Sequence, residues 1–127
     1  MELFVGGKCQ GKLKYVLDTH RDLIETDVAD GATCSDADIL SHKIINHFHA
    51  YIRRKTEQGE DVSDIPGKLK SENPDAIIIS DEIGCGIVPA DPMDNTWREE
   101  CGRTLCEIAR LSERLERIVC GCGIRIK

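Results

Sequence analysis

The sequence has few aromatic residues and no long hydrophobic run. Aromatic side chains make up 4% of its 127 residues. The longest apolar stretches, such as residues 76–79, fall far short of the roughly 18 to 20 residues that a membrane-spanning helix needs. Residues 1–5 carry no basic lead and no extended apolar segment, so they lack the pattern of a secretory signal. We therefore expect a cytoplasmic protein with no membrane span.

Positive charge is in deficit. The chain has 17 Lys and Arg against 23 Asp and Glu, which leaves a net charge of −6. Because general binding to nucleic acid or to anionic membranes needs a positive surface, neither is expected. The net charge does not exclude a local basic pocket. With 40% hydrophobic and 31% charged residues, the chain can bury a core. Its length is typical of one domain, which we predict to span residues 1–127.

Cysteine is abundant but poorly spaced for zinc. The chain has 7 cysteines, an odd number that excludes complete intramolecular pairing. A structural zinc site usually has two Cys-x2-Cys knuckles, whereas the close pair here is Cys120 and Cys122, inside a predicted strand. We predict no metal site and interpret most cysteines as small buried hydrophobic residues. The histidines also lack metal-ligand spacing, and we interpret them as solvated or close to helix caps.

The pattern of apolar residues predicts alternating strands and helices. The predicted strands lie at residues 3–5, within 28–33, at 76–79 and at 118–126, and the predicted helices at residues 13–17, 36–54, around 65–69 and at 95–116. Apolar residues recur at three- and four-residue spacing in the second helix, and Ser35 or Asp36 can cap its start. The continuous β-branched run at 76–79 is typical of a central strand. This order predicts an α/β fold with a mainly parallel sheet.

A glycine-rich segment follows the first predicted strand. Residues 6–13, with the sequence GGKCQGKL, have the G-x-x-x-x-G-K spacing of a phosphate-binding loop between a strand and a helix. Backbone N–H groups of such a loop face the phosphates, and Lys12 would reach the terminal ones. Leu13 stands where a Ser or Thr hydroxyl normally ligates Mg²⁺, which puts magnesium positioning in doubt. The alternative is that Gly6, Gly7 and Gly11 only make a tight turn after an edge strand.

Two carboxylates follow the predicted central strand. Asp81 and Glu82 lie at its carboxyl end, where ligands usually bind in open α/β sheets. A carboxylate there can order a metal ion or its water, or it can accept the proton of a substrate hydroxyl. The alternative is a solvated strand end or a helix cap.

The carboxyl half of the chain resembles the bifunctional adenosylcobinamide kinase / adenosylcobinamide-phosphate guanylyltransferases of cobalamin biosynthesis. Residues 76–89, AIIISDEIGCGIVP, are similar to that family's strand followed by N-E-V-G-x-G-I-V-P. Farther on, Arg98, Gly102-Arg103, Ala109 and the ending at residues 123–127 follow its R-x-x-x-G-R, A and terminal I-K pattern. The glycine loop is similar in place and spacing to the family's G-G-x-x-S-G-K-S.

The resemblance implies a P-loop fold of the RecA-like, three-layer kind, here reduced in size, which is commonly a trimer. It also implies ATP or GTP as the phosphoryl donor and adenosylcobinamide as the acceptor. The catalytic candidates are Lys12 and Glu82. Asp30 or Glu82 is expected to bind the metal or the substrate hydroxyl. The candidates for nucleotide binding are Gly6, Gly7, Lys8, Cys9, Gln10, Gly11, Lys12, Leu13 and Asp30.

The chain also departs from the family pattern. Family members hold a guanylylated histidine in a long segment after the phosphate loop, whereas only about fifteen residues separate Lys12 from Val28 here. His20, the histidine in that interval, lacks the family's H-H-x-x-R-P-like context, so we expect guanylyl transfer to be absent. Residues 30–33 correspond to the family's acidic strand, followed by a helix that carries residues 44–46. Asp81 stands where the family usually has Asn.

Two hypotheses follow from this comparison. The first is a shortened kinase that phosphorylates adenosylcobinamide. The second is a non-catalytic protein that binds a nucleotide or a corrinoid and has kept the fold without magnesium chemistry. Leu13 and the missing segment favour the second hypothesis, whereas Lys12 and Glu82 favour the first.

Overall fold

The computed structural model describes residues 1–86 and 88–127, and these residues build one six-stranded sheet. Its strands are β1 (Glu2–Gly6), β2 (Val28–Asp30), β3 (Ile44–Asn46), β4 (Ile77–Asp81), β5 (Arg114–Val119) and β6 (Cys122–Arg125). They lie in the order β2-β3-β4-β1-β5-β6, and all neighbours are parallel except β5 and β6. Ile87, part of the motif after the predicted central strand, lies outside the described residues.

Helices cover both faces of the sheet. They are α1 (Lys12–Thr19), α2 (Asp36–Ser41), α3 (Phe48–Glu57), α4 (Ile65–Glu72) and α5 (Pro92–Leu111). Residues of α1 pack on one face, and residues of α2 to α5 pack on the other. This arrangement confirms the predicted α/β class with a mainly parallel sheet and is consistent with a P-loop fold. In the described part of the chain, no helix is long and apolar enough to cross a bilayer.

Strand β4 connects the two apolar layers. Its three isoleucines are buried, and successive side chains of a strand point to opposite faces. Ile78 therefore joins the cluster under α2 to α5, whereas Ile77 and Ile79 join the cluster under α1. This double burial explains the continuous apolar run and confirms a strand inside the sheet.

The prediction of a single helix over residues 36–54 is wrong. The structure has α2, then β3, then α3 over this stretch. Ser35 does cap α2, because its Oγ accepts a hydrogen bond from the Asp38 N–H at 3.2 Å. Ile44 and Ile45 are fully buried between β2 and β4, so sheet pairing outweighs the helical spacing. The expectation of a helix that carries residues 44–46 fails for the same reason.

The predicted boundary between the last helix and the last strand is also wrong. Helix α5 ends at Leu111, and residues 114–125 form the β5–β6 hairpin. Cys120 and Gly121 make its two-residue turn with φ of 50° and 77°, which is the backbone of a type I′ turn. Cys120 therefore lies in the turn and does not share a strand face with Cys122.

Candidate functional site

The loop between β1 and α1 has the backbone of an anion-binding site. In the described part of the chain, the N–H groups of residues 8–13 donate to no protein acceptor. Cys9 and Gly11 have φ of 59° and 78°, which turns successive N–H groups toward one concave side. Gly6, the last residue of β1 and the first of the loop motif, lies so close to β5 that a Cβ there would collide with the carbonyl oxygen of Ile118. This geometry fits the predicted phosphate-binding loop.

The β5–β6 turn holds this loop in place. The side-chain Oε1 of Gln10 accepts a hydrogen bond from the Cys120 N–H at 2.7 Å. Its carbonyl oxygen accepts a second one from the Gly121 N–H at 2.9 Å. Gln10, which replaces a serine of the family pattern, therefore stabilises the loop by contacts within the protein.

Lys12 is the first residue of α1, and its side chain, which reaches back into the loop, is 7% exposed. Its Nζ donates to the Gly7 carbonyl oxygen at 2.7 Å and pairs with Asp81 Oδ1 at 2.6 Å. The two partners meet because β1 and β4 are parallel neighbours, with Gly6 opposite Asp81. A buried ammonium group needs such partners to offset the loss of water.

His49 contacts Asp81 from the first turn of α3. Its Nδ1 accepts a hydrogen bond from the Asp81 backbone N–H at 3.0 Å, so the ring proton lies on Nε2. That Nε2 is 3.5 Å from Asp81 Oδ2. Burial lowers the pKa of His49, with further lowering from His47 and Lys12, although the Asp81 carboxylate opposes the shift. The imidazole is therefore neutral near pH 7.

Trp97 fixes His49 from the opposite side. The indole Nε1 donates to the His49 carbonyl oxygen at 2.8 Å. The guanidinium of Arg53 lies 4.7 Å from the centre of the Trp97 ring and also contacts Asp94 at 2.9 Å. These contacts join the first two turns of α3 to the first two turns of α5 beside the loop.

Glu82 is separated from Lys12. Its Oε2 accepts two hydrogen bonds from Arg117 of β5, at 3.2 and 3.0 Å. Its backbone N–H donates to the carbonyl oxygen of Gly6. The carboxylate in contact with the phosphate-loop lysine is that of Asp81, the neighbouring residue.

Asp30 ends β2, an edge strand that β3 and β4 separate from β1 and the loop. Its Oδ1 accepts a hydrogen bond from the Ala32 N–H at 2.9 Å and lies 3.0 Å from His47 Nδ1. Although partial burial opposes the shift, these two contacts lower the pKa of Asp30. Among the described contacts of Asp30, none reaches Lys12 or the glycine loop.

Two cavities meet at the loop. One, of about 420 Å³, lies against the phosphate loop, the start of α1 and the end of β3. The other, of about 590 Å³, extends toward Trp97, Glu82 and Arg117. Four residues line both cavities: Lys8, Gln10, His49 and Asp81.

Leu13 contributes an apolar side chain where a magnesium site would need oxygen. It is partly buried and packs against the apolar cluster that contains Phe4 and Val16. Among the described residues, no group of three or more His, Cys, Asp or Glu side chains is placed to hold a metal ion. The residues at the loop therefore do not fit the usual hydroxyl-ligated Mg²⁺.

Sequence reasoning missed the role of His49 and Trp97. The helix predicted for residues 36–54 includes His49, whereas in the structure His49 lies three residues after β3. The available signal was the change from two isoleucines to Asn46 and His47, which is typical of the carboxyl end of a buried strand. Trp97 had no comparable signal, because its apolar spacing in α5 is that of an ordinary core residue.

A protein-family model described as cobinamide kinase / cobinamide phosphate guanyltransferase matches residues 11–126. The chain belongs to this family. The match confirms the resemblance drawn from the sequence, and the family acts in cobalamin biosynthesis with nucleoside triphosphates. It begins at Gly11, so residues 6–10 of the glycine loop lie outside it. No curated protein matches the chain closely enough to count as a relative.

Proposed function

We propose that the chain is a shortened cobinamide kinase that transfers a phosphoryl group from ATP or GTP to adenosylcobinamide. The observation that carries this proposal is the position of Lys12. Its ammonium group lies at the carboxyl ends of β1 and β4, inside a loop whose N–H groups at residues 8–13 have no described protein acceptor. Such a loop binds phosphates through its backbone, and the lysine neutralises charge on the transferred group.

In this reaction the two cavities hold different substrates. The nucleotide phosphates occupy the cavity at the start of α1, and the acceptor hydroxyl enters from the larger cavity beside Trp97. The hydroxyl oxygen forms a bond to the terminal phosphorus as the bond from that phosphorus to the nucleoside diphosphate breaks. The hydroxyl proton passes to a carboxylate at the end of β4, where Asp81 and Glu82 are the candidates.

Guanylyl transfer through His20 is absent from this proposal. His20 follows α1, and its Nε2 lies 3.2 Å from the Glu2 carboxylate at the start of β1. Since the glycine loop follows the end of β1, His20 lies at the opposite edge of the sheet.

We propose, by the same resemblance to the family, that the protein is a cytoplasmic trimer.

Substitution of Lys12 tests the kinase. Lys12→Ala should lower the yield of phosphorylated cobinamide per unit time about 100- to 1,000-fold, because it removes one preorganised charge from the transition state. The product is measured by mass spectrometry with ATP and with GTP. Lys43→Ala is the matched control, because Lys43 precedes β3 at the opposite edge of the sheet and is half exposed. Equal activity of the two variants would remove the glycine loop from the reaction.

A second candidate function is a nucleotide-binding protein without catalysis. The apolar packing of Leu13 favours it, because the hydroxyl that orders Mg²⁺ in phosphate-binding loops is missing. Calorimetric titration with ATP and GTP should then give the same affinity in Mg²⁺ and in EDTA, with no phosphorylated cobinamide. A strong magnesium requirement together with product would reject this candidate in favour of the kinase.

A further inference from the structure

Asp81 and His49 lie at the boundary between the two cavities, which they share with Lys8 and Gln10. A phosphoryl group that moves from nucleotide to acceptor has to cross this boundary. Of the four shared residues, Asp81 alone carries a carboxylate, and its side chain is 16% exposed. A carboxylate at this boundary can accept the proton of the attacking hydroxyl.

We propose that Asp81 accepts the proton of the phosphorylated hydroxyl and that His49 is the residue that positions the Asp81 carboxylate. This assignment rests on the proposed kinase function. The step balances as follows: the oxygen–phosphorus bond to the acceptor forms, the bond to the departing nucleoside diphosphate breaks, and the hydroxyl proton moves to Asp81. Water then removes that proton from the carboxylate.

The two oxygens of the Asp81 carboxylate have different partners. Oδ1 pairs with the ammonium group of Lys12 at 2.6 Å, and Oδ2 faces Nε2 of His49 at 3.5 Å. When Lys12 turns to the nucleotide phosphates, Oδ1 loses its partner and becomes available to the substrate hydroxyl. His49 is then the neighbour that still orients the carboxylate.

His49 is itself held in one orientation. Its Nδ1 accepts from the Asp81 backbone N–H at 3.0 Å, and its own carbonyl oxygen accepts from the Trp97 indole at 2.8 Å. The first contact directs the Nε2 proton toward the Asp81 side chain. The imidazole thus contacts the same residue through both the backbone and the carboxylate.

The proposed step is specific to this chain and is not a property of the family. The resembled family usually has Asn where this chain has Asp81, and an amide cannot accept the hydroxyl proton. The structure supplies both the carboxylate and an imidazole partner for it.

Asp81→Asn tests the proton acceptor with little change in shape. It should lower kcat for cobinamide phosphorylation about 100-fold or more, while ATP and GTP still bind in calorimetry. His49→Ala should lower kcat about 10- to 100-fold through misplacement of the carboxylate. His49→Gln should recover part of that loss, because its amide can still donate to Asp81. His42→Gln, at the end of α2 away from both cavities, is the matched control.

Each outcome bears on the proposal. A fall in kcat with an unchanged KM for nucleotide, and partial recovery in His49→Gln, would support it. Unchanged kcat in folded Asp81→Asn would overturn it and leave the kinase function intact. If His49→Ala fails to fold, as judged by circular dichroism, His49→Leu replaces it, because leucine keeps the bulk but cannot donate to Asp81, and equal kcat of His49→Leu and the wild type would reject the role of His49. Absence of phosphorylated product from the wild type would reject the kinase and this assignment with it.

Discussion

Cys9 is exposed and Cys101 is buried, so their reactivities toward a thiol reagent should differ. Labelling of Cys9 can therefore report whether the glycine loop is covered by a ligand. Cys9 is exposed in the glycine loop, whereas Cys101 is buried in the core and burial raises its pKa to about 12. At pH 8 a maleimide should therefore modify Cys9 in the native protein and leave Cys101 unmodified. Saturating ATP or GTP should slow the labelling of Cys9, because bound phosphates cover the loop.

Labelling is measured residue by residue with mass spectrometry. Cys106, which is exposed on α5 and lines neither cavity, is the internal control and should react at the same rate with and without nucleotide. Equal slowing of both thiols would point to a general effect of the nucleotide. No slowing at Cys9 would count against phosphate binding in the loop.

At the residue scale, the motif predicts Lys12 better than its acidic partner. The G-x-x-x-x-G-K spacing is a local pattern, and the structure places Lys12 where that pattern implies. The choice between Asp81 and Glu82 depends on which side of the strand end each faces. That side is set by the pairing of β1 with β4 and by Arg117 of β5, and both partners are distant in sequence.

At the element scale, the close approach of β1 and β5 requires glycine at position 6. A Cβ on Gly6 would collide with the backbone carbonyl of Ile118, which cannot move without loss of sheet pairing. Gly6→Ala should lower the free energy of unfolding by about 1–3 kcal/mol. Urea denaturation followed by circular dichroism measures the change.

Gly102→Ala is the matched control for this substitution. Gly102 lies within α5, and nothing lies within 4 Å of an added Cβ. Alanine there should raise the free energy of unfolding by about 0.5–1 kcal/mol through its better helix propensity. A similar loss of stability in both variants would contradict the steric explanation for Gly6.

The elements also differ in how well the sequence predicts them. β1, the start of α1, α4 and β4 follow from local apolar patterns, and the structure confirms them. The stretch from Asp36 to Glu57 does not, because its isoleucines fit helical spacing while their burial depends on β2 and β4. The sequence does not predict the β5–β6 turn either, because its first position, which needs a positive φ, is occupied by a non-glycine residue. That residue, Cys120, has φ of 50°.

At the scale of the whole molecule, a polar network joins the two ends of the chain. Glu116 is 4% exposed and accepts a hydrogen bond from the Tyr15 hydroxyl at 2.8 Å, while Arg114 contacts it at 2.7 Å. Arg114 also reaches Glu2 at 3.4 Å. The network therefore connects β1, α1 and β5 on the face covered by α1.

This network predicts how stability depends on pH. Burial raises the pKa of Glu116, but the contacts with Tyr15 and Arg114 outweigh it, so the net shift is downward. A lowered folded-state pKa stabilises the protein above the ordinary glutamate pKa, and that contribution disappears as the pH falls through the folded value. Glu116→Gln should lower stability at pH 7 by about 2 kcal/mol and give a shallower decline between pH 7 and pH 3. Urea denaturation across that range provides the test, and an unchanged slope would contradict the assignment.

The contacts of Gln10 set the time at which the glycine loop can take shape during synthesis. The hydrogen bond from Cys120 joins positions 110 residues apart, and β1 needs β4 and β5 on its two sides. At about 5–20 residues per second, a ribosome adds that length in roughly 5 to 20 seconds. The loop therefore gains its two Gln10 hydrogen bonds only after residues 120 and 121 have been synthesised, whereas β1 can already pair with β4 before that point.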